Sequence, residues 1–385
     1  MIIFKGECFD EFMRDEKIRV DLQYPWKFPD SSYYKNILDY PPKNVNYVNY
    51  NKSSKMEVIG SSKKFEVMRV SKNLIRKFLK VLHVPNLIFT TRKDFDLIHC
   101  AHCLTLNKKP FVVDTEVYER LASAGGDVSM KGIGKRIIKN LLEGGNCKKI
   151  IAWSEDCKKS FESVFPNNEK ILNKIEILPF AIPEINYKKI PHKKLRVLFV
   201  ARWFDAKGGR QTLEVFDRLS KKYPEVEFVF ICPTPNKYKD KYKKNKQIKI
   251  LELLPQNVLF EKFYSSSDIF FYPGFGDSYG FSVPEALACG LPIITSKTFA
   301  KTELVDDGKT GFIINIPKNF WEFPNYSNMD EEMLQNFYEK TSELIENGKL
   351  RNKMSENAKI IAKEKFSIKK RNEKLLGIYK CALKQ

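Results

Sequence analysis

The chain has 385 residues, of which 43% are hydrophobic and 30% are charged. This length and apolar content suit a globular protein of two or three domains, and they exclude a disordered or fibrous chain. No apolar run approaches the ~20 residues of a membrane-spanning helix, and the first residues lack a signal-peptide pattern. We therefore expect a cytoplasmic protein.

The charge balance is strongly basic, with a formal net charge of +20 at pH 7. Such a charge suits an anionic partner, whether a nucleotide, a nucleic acid or an acidic membrane surface. The positive charge can equally reflect an AT-rich genome, because lysine is used heavily in this chain. The charge alone therefore favours no single partner.

A His-Cys tract, residues 99–103, carries two histidines and two cysteines. Zinc sites usually need a second pair of ligands at a matching spacing, and no such pair follows downstream. Because the tract ends an apolar run, a buried strand end is the stronger interpretation. We therefore predict no metal site.

The first half alternates short apolar runs with amphipathic or polar stretches, as doubly wound parallel sheets do. The runs predict strands at 18–24, 45–50, 96–99, 111–115, 149–154 and 175–180. A loop rich in Pro and aromatic residues, 25–32, follows the first strand. It should lie at the carboxyl edge of the sheet, where ligands bind in this architecture.

Two predicted helices, 69–82 and 131–142, carry apolar residues on one face and lysine or arginine on the rest. Basic amphipathic helices can lie on acidic membranes. They can equally pack against a core and expose their lysines to water. Both interpretations stay open, and a peripheral contact with the membrane is one of them.

Acidic residues follow the predicted strand 111–115, which ends in Asp114 and Thr115 and is followed by Glu116. Acids at the carboxyl end of a parallel strand are candidates for catalysis or sugar binding. They can also cap the helix predicted at 117–122. The sequence favours neither role.

The stretch 181–194 contains proline and lysine residues and is typical of an interdomain linker. It divides the chain into an N-terminal domain, 1–186, a C-terminal domain, 187–368, and a final helix, 369–385, that would cross back to the first domain. The second domain repeats the alternation. Its strands are predicted at 195–201, 226–231, 248–251, 268–272 and 293–295, with helices at 211–223 and 256–265.

Two cations, Arg202 and Lys207, lie in the turn between strand 195–201 and the next helix. Guanidinium and ammonium groups at a strand-to-helix junction are well placed to bind a diphosphate. Surface charges on an ordinary turn are the alternative.

The segment 268–295 predicts strand, glycine loop, helix and strand, with carboxylates at Asp277 in the loop and Glu285 in the helix. Ser282 stands where an N-cap residue is expected. Free amides at a helix N-terminus attract anions. The candidate amide donors are Gly280, Phe281 and Ser282. The segment therefore favours a phosphorylated ligand, although a plain strand–helix crossover would have the same pattern.

Four features, in order, resemble the "group 1" family of retaining GT-B glycosyltransferases, the relatives of glycogen synthase and of lipid mannosyltransferases. They are the stretch 200–208 with Arg202 and Lys207, the strand 268–273, Asp277 and Glu285 with seven residues between them, and the stretch 303–311 with Glu303. The resemblance covers residues 150–380.

The resemblance implies an α/β chain of GT-B fold, with two doubly wound Rossmann-like domains facing across a cleft. It implies a hexosyltransferase that moves a sugar, with retention and without a metal or other cofactor, from a UDP- or GDP-linked donor to a glycan or lipid-linked acceptor. Arg202 and Lys207 would neutralise the departing diphosphate, near the amides of 280–282. Glu285 would hold the ribose, and Asp277 the sugar hydroxyls.

Three features depart from the family pattern. Asp277 stands where the family usually has Glu, and Phe299 and Ala300 stand where it has two glycines. The family's histidine in the first domain has no counterpart, and Glu116 or Asp114 stands near its place. We carry the catalytic role over to Glu116.

Two other functions fit the same fold. A nucleotide-sugar epimerase would need no acceptor. A catalytically inactive protein that binds a membrane or nucleic acid would explain the charge, but the intact Arg202, Lys207 and Glu285 argue against it. We therefore expect no nucleic-acid partner.

Overall fold

The computed structural model describes residues 17–24, 32–50, 85–121, 132–185 and 189–384. They form an α/β protein of two compact units. The first unit contains the described residues up to Ala181 together with those from Ile368 onward, and the second spans Ile182–Ser367. The sequence predicts these domain boundaries near residues 187 and 369.

The first unit is built on a six-stranded sheet in which every pair of neighbours is parallel. In chain order its strands are β1 (Ile18–Gln23), β2 (Val45–Tyr47), β4 (Leu97–Ala101), β6 (Phe111–Thr115), β7 (Cys147–Ala152) and β8 (Ile175–Ile177). Across the sheet the order is β2-β1-β4-β6-β7-β8. A separate parallel pair joins β3 (Leu87–Ile88) to β5 (Leu104–Thr105).

Helices cover the first unit's sheet because their apolar faces need a partner. They are α1 (Ser32–Asp39), α2 (Gly132–Glu143), α3 (Glu155–Val164) and α4 (Glu169–Leu172), with a 3-10 turn at Tyr118–Leu121. Ser154 caps α3, since its side chain accepts a hydrogen bond from the Cys157 amide.

The second unit is also built on a parallel six-stranded sheet. In chain order its strands are β9 (Arg196–Val200), β10 (Glu227–Ile231), β11 (Ile248–Leu251), β12 (Ile269–Tyr272), β13 (Ile293–Ser296) and β14 (Gly311–Ile314). The spatial order is β11-β10-β9-β12-β13-β14. The chain moves outward from β9 in one direction and then restarts beside it with β12, as in the doubly wound nucleotide-binding fold.

The second unit's helices follow its strands. They are α5 (Gly209–Lys222), α6 (Asn236–Tyr242), α7 (Gln256–Val258), α8 (Ser282–Ala288), α9 (Lys301–Leu304), α10 (Glu331–Glu346) and α11 (Gly348–Lys365). Short 3-10 turns lie at Phe320–Glu322 and Pro324–Tyr326. The last helix of the chain, α12 (Ile368–Lys384), belongs to the first unit.

The stretch 256–265, predicted as one helix, is helical throughout, but α7 continues as a π-helical turn, Leu259–Phe263, and a 3-10 turn, Tyr264–Ser266. Another local prediction was wrong. Ser282 is not an N-cap, because the cap position belongs to Phe281 and Ser282 is already helical. Gly280, at φ +89°, turns the chain early enough for its carbonyl to accept the first helical hydrogen bond.

Of the two predicted basic helices, the structure describes only the second. The helix at 69–82 and the loop at 25–32 lie outside the described residues, except for Ser32 at the start of α1. The helix at 131–142 appears as α2, with Ile138 and Leu142 in the core and Ile133 67% exposed. Its apolar face is therefore narrower than the sequence predicted. Within the described ranges, no helix is long and apolar enough to cross a membrane.

The His-Cys tract forms the end of β4 and the turn after it, with all of its side chains buried. His102 takes a left-handed conformation, at φ 51°. Among the residues that the structure describes, no group of His, Cys, Asp or Glu is arranged to hold a metal ion.

Candidate functional site

The candidate site lies where the strand order of the second sheet reverses, between β9 and β12. In open α/β sheets, ligands bind outside the carboxyl ends of the strands at such a point. Here two loops leave those ends, 201–208 after β9 and 273–281 after β12. Backbone hydrogen bonds join them, from Gly274 to the Lys207 carbonyl at 3.2 Å and from Gly276 to the Ala206 carbonyl at 2.7 Å.

Gly208 allows the two loops to approach each other. It has φ +80°, and a Cβ at this position would lie 2.7 Å from the Cβ of Pro273 and 2.9 Å from the ring of Phe275. Real Cβ atoms do not come this close to other carbon atoms. Only glycine therefore permits both the backbone turn and the contact.

An ion pair joins the side chains of the two loops. Lys207 Nζ lies 2.8 Å from Asp277 Oδ1, and each side chain is only 14% exposed. Tyr272, at the end of β12, donates from its hydroxyl to Asp277 Oδ2. Lys301 Nζ, fully buried on α9, donates to the Asp277 carbonyl oxygen at 2.7 Å. Two ammonium groups thus lie beside one carboxylate.

These cations decide the protonation of Asp277. Burial by itself would raise the pKa of its carboxyl, since it removes water from the charged form. The charges of Lys207 and Lys301, together with the hydrogen bonds from Lys207 and Tyr272, outweigh burial and hold the pKa below its ordinary value. Asp277 is therefore ionised at neutral pH.

Glu285 is held inside the molecule by two residues that the sequence analysis did not single out. It is 6% exposed, near the start of α8. Gln256 Nε2 donates to its Oε1 at 2.8 Å, and the hydroxyl of Tyr264 donates to its Oε2 at 3.3 Å. Burial, and then the charge of Glu285, raise the pKa of Tyr264 well above its usual range. The phenol therefore remains a donor to this carboxylate.

The remaining residues predicted to bind the nucleotide-sugar donor lie on the same two loops or at the start of α8. Arg202 directly follows Ala201 at the end of β9, and its side chain is exposed. The amides of residues 280–282 precede α8, whose first helical hydrogen bond runs from Val283 to the Gly280 carbonyl at 2.9 Å. The structure thus places every site residue predicted in the second domain at the carboxyl ends of β9 and β12 or on α8.

Glu116 belongs to the first unit and follows β6. Its Oε1 accepts from Arg120 Nε at 2.5 Å. The neighbouring acid, Asp114, has no exposure and bonds to the hydroxyl of Tyr34 and to His99 Nε2, the latter at 2.7 Å. Of the two acids named for the family histidine, Asp114 therefore belongs to the interior, whereas Glu116 keeps 14% of its side chain exposed.

Two further contacts of Asp277, from Tyr272 and Lys301, were not predicted from the sequence. Tyr272 ends the predicted strand before Asp277, and Lys301 stands two residues before Glu303. Nothing in their local pattern points to Asp277, because both contacts depend on how the loops fold back.

One family model matches part of the chain. Residues 183–322 match the model of the family described as Glycosyl transferases group 1. The spore coat protein SA of Bacillus subtilis is 27% identical over 202 residues, 49% of each chain. The alpha-monoglucosyldiacylglycerol synthase of Acholeplasma laidlawii is 30% identical over 123 residues, 31% of each chain. The aligned region thus spans about half, or less, of these relatives.

Solved structures extend the likeness over nearly the whole chain. The crystal structure of Anabaena Alr3699/HepE in complex with UDP and glucose superposes with a TM-score of 0.60. The superposition covers 95% of this chain and 100% of that one, at 15% identity. At this identity the likeness establishes the fold, which is α/β and of the GT-B class.

Proposed function

We propose that this chain, whose residues 183–322 belong to the group 1 glycosyltransferases, transfers a sugar from a nucleotide-sugar donor to an acceptor. The observation that carries the proposal is the cluster of Lys207, Asp277 and Lys301 where the second sheet changes its strand order. A buried carboxylate beside cations, at the edge where nucleotides bind, suits a ligand with both a diphosphate and hydroxyl groups.

Each residue has a role in this proposal. Lys207 and the exposed Arg202 contact the diphosphate and stabilise the negative charge that develops as it leaves. The amides of residues 280–282 add hydrogen bonds to the phosphates. Asp277, kept ionised, accepts hydrogen bonds from hydroxyls of the donor sugar. Glu285 accepts from the ribose diol, because Gln256 and Tyr264 hold its carboxylate in place.

UDP is the nucleotide to test first, with GDP second. The support is that Anabaena HepE, which shares the fold, was crystallised with UDP and glucose. Within the proposal the sugar is a hexose, it keeps its anomeric configuration, and the reaction needs no metal. Glu116 serves the acceptor side of the reaction.

The acceptor is proposed to be a glycan or a lipid-linked molecule. The support is the name of the Acholeplasma relative, an alpha-monoglucosyldiacylglycerol synthase, and helix α2, which carries exposed basic residues and an exposed Ile133. A peripheral position at the cytoplasmic face of the membrane belongs to this proposal.

A thermal-shift panel of UDP, GDP, ADP, CMP and their sugars tests the donor. A ligand at ~100 times its dissociation constant should add about 2.7 kcal/mol of stability. We expect one base to stabilise the protein, and Lys207→Ala to remove the shift. Lys244→Ala, an exposed lysine of the same unit, is the matched control.

The other outcomes identify the alternatives. A donor that is converted to another nucleotide sugar without any acceptor indicates an epimerase. If no nucleotide binds while acidic vesicles or nucleic acid do, with a steep salt dependence, the protein is not a glycosyltransferase.

A further inference from the structure

Lys301 is a fully buried lysine to which the roles proposed above give no task. It begins the short helix α9, after Phe299 and Ala300, which stand where the resembled family has two glycines. Its Nζ lies 2.7 Å from the carbonyl oxygen of Asp277 and 5.5 Å from the ring centroid of Phe299. Because an ammonium group loses hydration on burial, such a lysine needs polar compensation.

The groups that face Asp277 are arranged so that each one contacts a different atom. Lys207 contacts Oδ1, Tyr272 contacts Oδ2, and Lys301 contacts the backbone carbonyl. The Asp277 amide in turn donates to the Gly274 carbonyl at 3.1 Å. Both the backbone and the carboxylate of this residue are therefore held.

The two lysines differ in access to solvent. Lys207 is 14% exposed and lies in the loop that leads into α5, whereas Lys301 has no exposure. Of the two, Lys207 can reach an incoming diphosphate. An ammonium group that turns toward a diphosphate shares its charge between two anions, and Asp277 then loses part of its compensation.

We propose that Lys301 is a positioning residue of the donor site, which fixes Asp277 and keeps its carboxylate ionised while Lys207 contacts the donor diphosphate. The first part of this inference, that Lys301 controls the ionisation of Asp277, does not depend on the proposed function. The second part, that Lys301 compensates Asp277 while Lys207 contacts the donor diphosphate, rests on the proposed function.

The test is a pH titration of the aspartate carboxyl carbons by NMR, in protein labelled with ¹³C at Cγ of aspartate. The Asp277 signal is assigned by its absence from Asp277→Asn. Lys301→Met removes the charge and keeps the length, Lys301→Gln keeps a donor for the carbonyl, and Lys301→Arg restores the charge. The titration is run with and without UDP.

We expect the Asp277 midpoint to move to higher pH in the Met and Gln variants and to return in the Arg variant. An unchanged midpoint in the Gln variant, the smallest perturbation of the fold, would overturn the inference. If Lys301→Met does not fold, the midpoints of Asp277 in the Gln and Arg variants still test the inference.

UDP separates this inference from the proposed function. If UDP binds and the upward shift in the Gln variant is larger with UDP than without it, both parts hold. If UDP binds but leaves the shift unchanged, the compensating role of Lys301 is wrong. If UDP does not bind at all, the proposed function fails while the titration without UDP still tests the first part.

Discussion

Asp277 makes the side-chain contact that joins the two loops of the candidate site. Its carboxylate pairs with Lys207 across the two loops, and its carbonyl is bound by Lys301 from α9. A carboxylate with so little water around it contributes to stability only while it is ionised and paired. A substitution of Asp277 or of one of its partners can therefore change both the free energy of unfolding and the turnover rate. The two quantities are measured in separate experiments.

The stability contribution of Asp277 should depend on pH. Its pKa in the folded protein lies below its ordinary value, so the contribution is present above the unfolded pKa and is lost as pH falls through the folded one. At pH 7 we expect Asp277→Asn to lower the free energy of unfolding by about 2 kcal/mol, as for a hydrogen bond to a charged group.

Urea unfolding of both proteins from pH 7 downward measures this dependence. The difference between the native protein and the variant should shrink as pH falls. A difference that stays constant to the lowest accessible pH would mean that the charge of Asp277 contributes nothing.

Lys207 should matter more for turnover than for folding. Lys207→Ala leaves Asp277 with Lys301 and Tyr272 as partners, so we expect a nearly native fold. The loss of one electrostatic contact in the transition state should cost ~3 kcal/mol, on the order of a hundredfold in kcat. Steady-state rates with the donor found by the thermal-shift panel measure it, with Lys244→Ala as the control. A variant with native turnover would remove Lys207 from the site.

At the scale of the elements, the close approach of the two loops is decided by Gly208 at the start of α5. Its carbonyl accepts both from the Thr212 amide, at 2.9 Å, and from the Thr212 hydroxyl, at 2.8 Å. The turn before α5 is thus tied into the helix on one side and packed against Pro273 on the other. A side chain added here must displace the loop that holds Asp277.

Two glycines with similar backbone conformations allow two contributions to the loss of stability in a Gly→Ala variant to be compared. One is the strain of the left-handed conformation, and the other is the steric contact of the added Cβ. Gly208 has φ +80° and no room for a Cβ, whereas Gly308 has φ +71° and a Cβ added there would meet nothing within 4 Å. We expect Gly308→Ala to cost about 1–2 kcal/mol for the left-handed conformation alone. Gly208→Ala should cost a further 1–3 kcal/mol for the contact and should weaken donor binding.

Chemical denaturation of the two variants compares these costs directly. Equal losses of stability would show that the loops near Gly208 can separate freely, against the packing described here.

At the scale of the whole molecule, the chain's last helix is part of the first unit. The hydroxyl of Tyr379 lies 2.6 Å from His99 Nδ1 and 3.1 Å from the hydroxyl of Tyr47. All three side chains are buried, and His99 contacts Asp114 on its other nitrogen. A buried polar chain thus joins β2, β4 and β6 to α12.

Removing one hydroxyl should therefore weaken the first unit alone. In Tyr379→Phe, a buried nitrogen of His99 and the Tyr47 hydroxyl lose a partner, which should cost about 1–3 kcal/mol. Lys380→Ala, at an exposed position of the same helix, is the control. We expect calorimetry to show a lower transition for the first unit, while a bound nucleotide raises the transition of the second.

A single transition that responds to both changes would mean that the two units unfold together. The effect of Tyr379→Phe on the first unit would then be read from the total free energy of unfolding.

The strand-and-loop pattern of the sequence predicted the parallel strands, the glycine loops and the positions of the residues proposed for the site. Strands β6 and β11 have the predicted bounds, and Lys207, Asp277 and Glu285 lie where the pattern placed them. These features are local, since apolar runs, glycines and charged residues at strand ends leave their signal within about ten residues.

Which partners these residues have depends on the tertiary structure. Lys301 reaches Asp277 from 24 residues away, Tyr264 reaches Glu285 from 21, and Tyr379 reaches His99 from 280. The burial of Asp114, the exposure of Ile133 and the early start of α8 at Ser282 depend in the same way on packing. No local pattern encodes such contacts, because they form only when the sheets order their strands and bring distant loops to one edge.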